Sequence, residues 1–392
     1  MYFLTINAGS SSIKFCLYET EKLTQDYSGT IAGIGFESAT FTTIDQSGSK
    51  TEQTLTLADH NAAVGVLQDW ISQHVAAEAI AAIGHRVVHG GPMYKESIVI
   101  DDDVVAGLRS IVPLDPEHLP VQIELIEQLR HEFSGKPQIA CFDTAFFHDL
   151  PLLAQLLPLP RHLAAEGVRR YGFHGLSYSY LLQQFEEVAG HDAAQGKIIF
   201  AHLGNGASLA ALKDGKPIDT SMGLTPAGGI PMSTRSGDLD PGILTYLATN
   251  KQMSAEQLAH LVGFESGLLG ISEKTSDMKQ LLDMEADDPR ATEAIDIFCY
   301  HVRKFIGAYA AALGGVNSLV FSGGIGEVSP PIRARICQGL DFLGITLDEQ
   351  RNHGNYERIS VDGAGVGVHV LATNEALTIA RDMQQLVTKQ TD

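Results

Sequence analysis

"LTINAGSSSIKFCLYE", residues 4–19, decides how this chain is read. Apolar Leu4 and Ile6 lead to Asn7, the chain passes Gly9 and the serines Ser10, Ser11 and Ser12, and the apolar pattern resumes at Ile13 with Lys14 behind it. Apolar runs on both sides of a short Gly/Ser stretch predict strand (2–7), turn, strand (13–19). Outward from this unit the sequence predicts a strand near 28–35, a hairpin around Ser47-Gly48 within 40–57, and a helix near 60–76 that Asp59 caps. "AAIGHRVVHGG" then reads as a strand ending in glycines, "VQIELIEQLRHEF" as a helix and "PQIACFDTAFF" as a buried strand followed by a loop. Strands alternating with helices place the chain in the α/β class.

The pattern restarts at "KIIFAHLGNGASLAALKDGKPID", again strand, polar glycine turn, strand. Asn205-Gly206-Ala207-Ser208 matches Asn7-Ala8-Gly9-Ser10 in form about half a chain later, which suggests an internal duplication. With 392 residues, two domains are the default. The boundary is drawn near 145–150: a first domain over 1–147, rejoined by a last helix over 376–392, and a second over 148–375. A third glycine turn, Gly323-Gly324-Ile325-Gly326, is expected between a strand at 318–322 and a helix opened by Pro330-Pro331, with a helix over 293–313 before it.

Composition narrows the function classes. There are 27 Lys and Arg against 47 Asp and Glu, a net charge of −20, so most of the surface repels nucleic acid. No apolar run is long enough to span a membrane, and "MYFLTINAGS" reads as fold, not as a signal peptide, so the cytoplasm is expected. The four cysteines form no C-x-x-C pair and read as free thiols of a reducing compartment. An anionic ligand would need the few cations gathered locally.

Three polar glycine turns after apolar strands suit phosphate oxygens, although Gly and Ser are ordinary turn residues as well. Neither G-x-x-x-x-G-K-[ST] nor G-x-G-x-x-G occurs, which disfavours a P-loop or Rossmann site. In "GHRVVHGG" strand alternation puts Arg86 and Val88 on one side, a cation beside a small apolar group, as a short carboxylic acid requires; His85 and His89 read as structural. Arg235, in "TPAGGIPMSTRSGDLDPG", is an arginine of a Gly-rich loop ahead of a helix capped by Asp240; a surface arginine is the commoner case, but the density of Gly and Pro favours one that stabilises charge on a transferring phosphoryl group. Asp143 ends a buried strand, where α/β sheets present ligand groups, and a turn role accounts for it nearly as well. His174 between aromatics and glycines, and Glu375 in the first turn of the last helix, are equally compatible with packing and capping.

Together "NAGSSSIK", "GHRVVHGG", "FDTAF", "RRYGFHG", "HLGNGAS", "DTSMGLTP", "TRSGDLDP", "GLLGIS", "SGGIGE" and "TNEALTIA" resemble the acetate kinase family (acetate and propionate kinases) of the actin-like, sugar-kinase-like ATPase superfamily, end to end. The resemblance implies two duplicated actin-like (ribonuclease H-like, βββαβαβα) domains with an interdomain active-site cleft. It implies Mg²⁺-dependent, reversible phosphoryl transfer from ATP to acetate, giving acetyl phosphate and ADP, in a homodimer formed through the second domain. Mn²⁺ would substitute for Mg²⁺. Carried over, Asn7 and Glu375 would assist the metal, and Lys14, Ser10 and Ser12 would face nucleotide phosphate. Arg86 would hold the substrate carboxylate, Asp143 would be the active-site acid, acting in positioning more than as a proton acceptor, and His174 and Arg235 would stabilise the transition state. Val88, Phe173 and Pro226 would wall the acyl pocket. His202, Leu203, Gly204, Asn205 and Gly206, with Gly324, Ile325, Gly326, Glu327 and Val328, would line the nucleotide site; Asp277, Met278 and Lys279 would lie near the adenosine.

The chain departs from the family pattern at Asp115-Pro116-Glu117-His118, Tyr178, Ser233, Lys279 and Val328, which leaves acyl-chain length and phosphoryl donor open. A propionate or butyrate kinase, or an actin-like ATPase without an acyl acceptor, are the alternatives.

Overall fold

The structure is a computed structural model that describes residues 1–9 and 11–391, so the expectation for Ser10 lies outside the described residues. The chain divides into two compact units: Met1–His148 with Gly175–Tyr180 and Asn374–Asp392, and Asp149–His174 with Leu181–Thr373.

In the first unit β1 (Tyr2–Gly9), β2 (Ser12–Glu19), β3 (Gln25–Ala32), β4 (Ala39–Asp45) and β5 (Lys50–Leu55) form an antiparallel meander, and β6 (Ile80–Val87), β7 (Ile98–Val99) and β8 (Gln138–Phe142) complete a sheet ordered β5-β4-β3-β2-β1-β6-β8-β7. β1 is antiparallel to β2 and parallel to β6, and β6 is parallel to β8. Alternation divides β1 between two cores. Leu4 and Ile6 meet Ala63, Val64, Leu67 and Ile71 of the helix His60–His74, whose 3.6-residue spacing gives it one apolar stripe. Phe3 faces the other way, onto Ile379, Ala380 and Met383 of the helix Glu375–Thr391. A Cβ on Gly84 of β6 would stand 2.4 Å from both Ile379 and Met383, so the last helix lies this close only because β6 has a glycine there.

The second unit repeats the scheme. β9 (Ile198–Leu203), β10 (Ala207–Lys213), β11 (Lys216–Thr220), β12 (Ser318–Ser322) and β13 (Gly367–Val370) are ordered β11-β10-β9-β12-β13, matching β3-β2-β1-β6-β8 in both order and direction. The sheet is the duplicated actin-like one. The four-residue echo is not in register, however. β1 ends at the pair Gly9–Ser12 with Asn7 two pairs back, whereas β9 ends at Leu203–Ala207 and Asn205 lies in the turn beyond.

Three expectations shift in detail. β3 ends at Ala32, not 35, because Gly33 turns the chain at φ +80°. The long helix starts at Pro289, ahead of 293, because Asp288 caps it, and it stops at left-handed Gly314 as expected. The third glycine stretch is not an open turn: after Gly323 (φ +76°) it is itself the helix Gly323–Val328. Among the described residues no helix is long and apolar enough to cross a membrane, and all four cysteines are free.

Candidate active site

Three neighbouring parallel strands deliver three polar side chains at their carboxyl ends. Ile6 of β1 pairs with His85 of β6, and Arg86 pairs with Cys141 of β8, so Asn7, Arg86 and Asp143 stand side by side where the sheet ends. Open α/β sheets place their ligand groups at such an edge. Arg86 Nη2 donates to Asp143 Oδ2 at 2.6 Å, and Nε donates to Oδ2 at 3.1 Å and Oδ1 at 3.2 Å. Its Nη1 donates to Asn7 Oδ1 at 3.3 Å and lies 3.2 Å from Glu375 Oε2, which also accepts from Asn7 Nδ2 at 3.2 Å. Burial works against the guanidinium charge, yet Asp143 and Glu375 together hold its pKa above the ordinary arginine value. Asp143 is 1% exposed and Arg86 17%. A fixed cation with one edge still in reach of solvent can accept an anion without being reorganised.

Residues that the sequence reading did not single out hold this group. Ser177 Oγ donates to Glu375 Oε1 at 2.6 Å. Gly175 N donates to the Asp143 carbonyl at 2.9 Å, and a Cβ there would come within 2.0 Å of that oxygen. Gln122 spans the gap where β1 and β6 cease to pair, its Oε1 accepting from Val88 N at 3.1 Å and its Nε2 donating to Ala8 O at 3.4 Å. Lys14, directly across the hairpin from Asn7, is exposed on the same face; Ser12 pairs with Gly9. His60 Nε2 and the Gly9 carbonyl are 2.9 Å apart, which ties down the turn.

The histidines beside this edge are structural, as expected. His85 Nε2 lies 2.7 Å from Gln138 Oε1, and burial takes its pKa down to about 4. His89 Nδ1 accepts from Gly91 N. Tyr178 is buried against Phe146 and Phe147, a packing role.

A second cluster lies in the second unit. His174 has a left-handed backbone (φ +61°), its Nδ1 is 2.9 Å from Ser208 Oγ, and its ring is 4.6 Å from that of His202. A Cβ on Gly206 would stand 3.1 Å from His174 Nε2 and 3.8 Å from Arg235 Nη1, so the glycine turn brings ring and guanidinium to its backbone. Arg235 Nη1 donates to Pro226 O at 3.4 Å. Ser233 N donates to Asn205 O at 3.2 Å, fixing the arginine loop on the turn. Arg170 of "RRYGFHG" donates to the carbonyls of Thr220, Ser221 and Met222 and builds the wall from which that loop departs.

The other expected nucleotide residues are spread over this unit. Leu203 is buried, Gly204 N donates to Gly206 O, and Gly323 can pack on the Leu203 carbonyl because it has no side chain. Gly324 and Val328 are exposed, while Ile325 is half-buried and Gly326 buried. The Glu327 carboxylate turns back on its own helix, Oε1 accepting from Gly323 N at 2.9 Å and Thr373 N at 3.3 Å. Arg333, fully buried, donates to the Gly326 and Glu327 carbonyls and locks the same helix from its other end. Asp277 caps the helix Met278–Met284, Met278 is buried in the core and Lys279 is exposed. Val88 belongs to the first unit and Phe173 and Pro226 to the second; all three are buried.

For a divalent cation, Asn7 and Glu375 offer a neutral amide oxygen and a carboxylate, both hard donors of the kind that Mg²⁺ takes beside phosphate and water. Among the described residues no group of three or more His, Cys, Asp or Glu could hold a metal unaided. The donors fit an ion that arrives with a phosphate ligand, not an all-protein cage.

Known proteins resemble the chain over its whole length. A model of the acetokinase family matches residues 2–381. An acetate kinase of Rhodopseudomonas palustris is 43% identical over 98% of both chains, and a propionate kinase of Citrobacter rodentium is 42% identical over 99% of this chain and 97% of its own. Among solved structures, the Porphyromonas gingivalis acetate kinase superposes with a TM-score of 0.89 at 36% identity, covering 98% of this chain and 99% of its own. A propionate kinase from Francisella tularensis gives 0.92 at 35% identity, covering 97% and 98%.

Proposed function

The chain belongs to the acetokinase family, and from that premise we propose that it transfers the γ-phosphoryl group of ATP to acetate, reversibly, using the residues placed above. The observation that carries this reading is Arg86, held between Asp143 and Glu375 at the carboxyl edge of the sheet, next to Val88. A guanidinium there pairs with a carboxylate while the valine meets its methyl end.

The acceptor carboxylic acid has a pKa of roughly 4–5, like Asp and Glu, so it is ionised at neutral pH and needs no general base. One carboxylate oxygen attacks the γ-phosphorus, that O–P bond forms, the bond to the β-γ bridging oxygen breaks, and ADP leaves with the electron pair. Asp143 and Glu375 position Arg86 for the acceptor; Arg235 and His174 donate to the phosphoryl oxygens as charge spreads over them. The Gly204–Gly206 turn and Gly324, exposed in the first turn of the helix Gly323–Val328, present side-chain-free backbone to the nucleotide. Asn7 and Glu375 would hold Mg²⁺, which supplies charge neutralisation on the phosphates. Lys14 adds a cation on the same face as Asn7.

We further read the protein as a homodimer of the cytoplasm. The exposed apolar side chains Leu239, Ile243, Leu244 and Tyr246 of the second unit support self-association, and the free thiols suit a reducing compartment. Trapping acyl phosphate as its hydroxamate, with Mg-ATP and acetate, tests the reaction. Product is expected to require acetate and the metal and to fall by roughly 10³-fold in Arg86→Ala. Absence of product with acetate, propionate and butyrate while nucleotide still binds would reject the reading. The ratio of rates on the three acids gives the chain length.

A further inference from the structure

The parallel strands β1 and β6 stop pairing before either of them ends. Their last pair is Ile6 with His85, while β1 runs on to Gly9 and β6 to Val87. On its other side β6 stays in the ladder: Val87 pairs with Phe142, and Asp143 N donates to the Val87 carbonyl at 3.0 Å. The sheet therefore splays between the two strands that carry Asn7 and Arg86. Splayed strands leave backbone groups that need partners. A side chain supplies them here. Gln122, buried on the helix Leu119–Glu132, accepts from Val88 N at 3.1 Å and donates to Ala8 O at 3.4 Å. Its amide offers the donor and acceptor of a peptide group and takes the place of the ladder where the strands part. Its seat is fixed in turn. Gln122 N donates to His118 O at 3.1 Å, Leu119 N donates to Asp115 O at 3.2 Å, and the buried Asp115 carboxylate lies 2.8 Å from His118 Nδ1.

We propose that Gln122 is a positioning residue of the acceptor site, which sets the width of the β1–β6 splay and with it the acyl-chain length that is accepted. The inference rests on the reading of Arg86 and Val88 as the seat of a short carboxylic acid. Gln122 comes from the face of the sheet that carries Leu4 and Ile6, since Leu125 and Leu129 of its helix pack in one core with those residues. Asn7 and Arg86 alternate onto the other face, with Phe3 and Gly84. Gln122 thus meets the backbone of the site from behind and acts through it. Ala8 follows Asn7, which would hold the metal, and Val88 would wall the acyl group. Thr144 Oγ1 accepts from Gly90 N at 3.0 Å and secures the far end of the Val88 segment on the β8 side. Held at both points, Val88 keeps a set distance from the Arg86 guanidinium, so that one methylene more or less in the acceptor is felt.

Acyl phosphate formation by Gln122→Met, which keeps the length of the side chain and loses both hydrogen bonds, tests the assignment on acetate and propionate side by side. The KM for acetate is expected to rise at least about fivefold while kcat stays within about threefold of wild type. The ratio of kcat/KM on propionate to that on acetate should rise at least about threefold, because a Val88 segment that is no longer held discriminates less. A purely structural role would lower the melting temperature and the active fraction, which scales kcat on both acids alike. KM and acid preference left at their wild-type values would therefore overturn the proposal. Gln122→Asn, one methylene too short to span both partners, should shift the preference in the same direction, and it decides if Gln122→Met does not fold. Deuterium exchange over residues 86–91 reads the same strap without any reaction. It is expected to quicken at least about tenfold in either variant, and unchanged exchange would show that Gln122 does not hold Val88. A wild type inactive on every acid would reject the kinase reading and the acid preference with it, while the exchange still decides the strap.

Discussion

At the scale of single residues, charge is what this sequence makes easiest to read. In a chain with so few cations, an arginine on an apolar strand and an aspartate at the end of another are conspicuous, and the structure brings Arg86 and Asp143 within 2.6 Å. Their supports were not legible. Ser177 lies 198 residues from Glu375 in sequence, and no local pattern distinguishes its hydroxyl from any other helical serine. Nothing in the sequence after Pro330-Pro331 marks Arg333 as a core residue; the folded carbonyls around it make it one. His85 gives a residue-scale prediction. Its folded pKa of about 4 lies below the ordinary 6.5, so between these values the unfolded chain binds a proton that the native one refuses. Stability from this site is therefore complete above about pH 6.5 and is lost as pH falls towards 4, by about 3 kcal/mol in total. His369, also lowered to about 4 by burial, adds in the same direction. Urea unfolding from pH 7 down to pH 5 should show decreasing stability, with a shallower slope in His85→Gln. A slope identical in variant and wild type would remove His85 from the acid response.

At the scale of elements, the two hairpins were readable because apolar alternation and turn residues are local. Elements whose existence depends on a neighbour were not. β7 is two residues long and is defined only by its pairing with β8. The helix Gly323–Val328 is three glycines among six residues, a composition that opposes helix, and it persists because Glu327 caps it and Arg333 takes its last carbonyls. The last helix is the element on which the site depends most, since its first residue is Glu375 and its seat on β6 is Gly84. Gly84→Val would drive branched carbons into Ile379 and Met383. Overpacking of this kind costs typically about 1–3 kcal/mol, and here the helix can relieve it by lifting from the sheet. The expected result is a lower melting temperature together with a loss of kcat/KM larger than the loss in Gly84→Ala, where the long Met383 side chain can yield. Full activity at a reduced melting temperature would mean that Glu375 is held by Ser177 and Asn7 without help from the helix seat.

At the scale of the whole molecule, one part of the second unit is not explained by its own fold. The helix Pro241–Asn250 has no buried residue although it carries Ile243, Leu244 and Tyr246, and of the helix Ala255–Phe264 only Gly263 is buried. Ten-residue helices gain their stability from a buried face, and an apolar face in water works against them. Ile297 and Tyr300, exposed on the helix Pro289–Leu313, add to the apolar surface of the same unit. A second copy of the chain would cover these side chains, each worth about 1.5–3 kcal/mol when fully buried. Sedimentation should then find a dimer in the wild type, and Ile243→Asp with Tyr246→Asp should weaken it by at least about 10²-fold. The formal charge of −20 on every copy sharpens the expectation. Two such chains repel each other, so an apolar interface must tighten as added salt screens the repulsion, whereas one built on ion pairs would loosen. A wild-type chain that sediments as a monomer at micromolar concentration in both low and high salt would leave these helices without the partner their composition calls for.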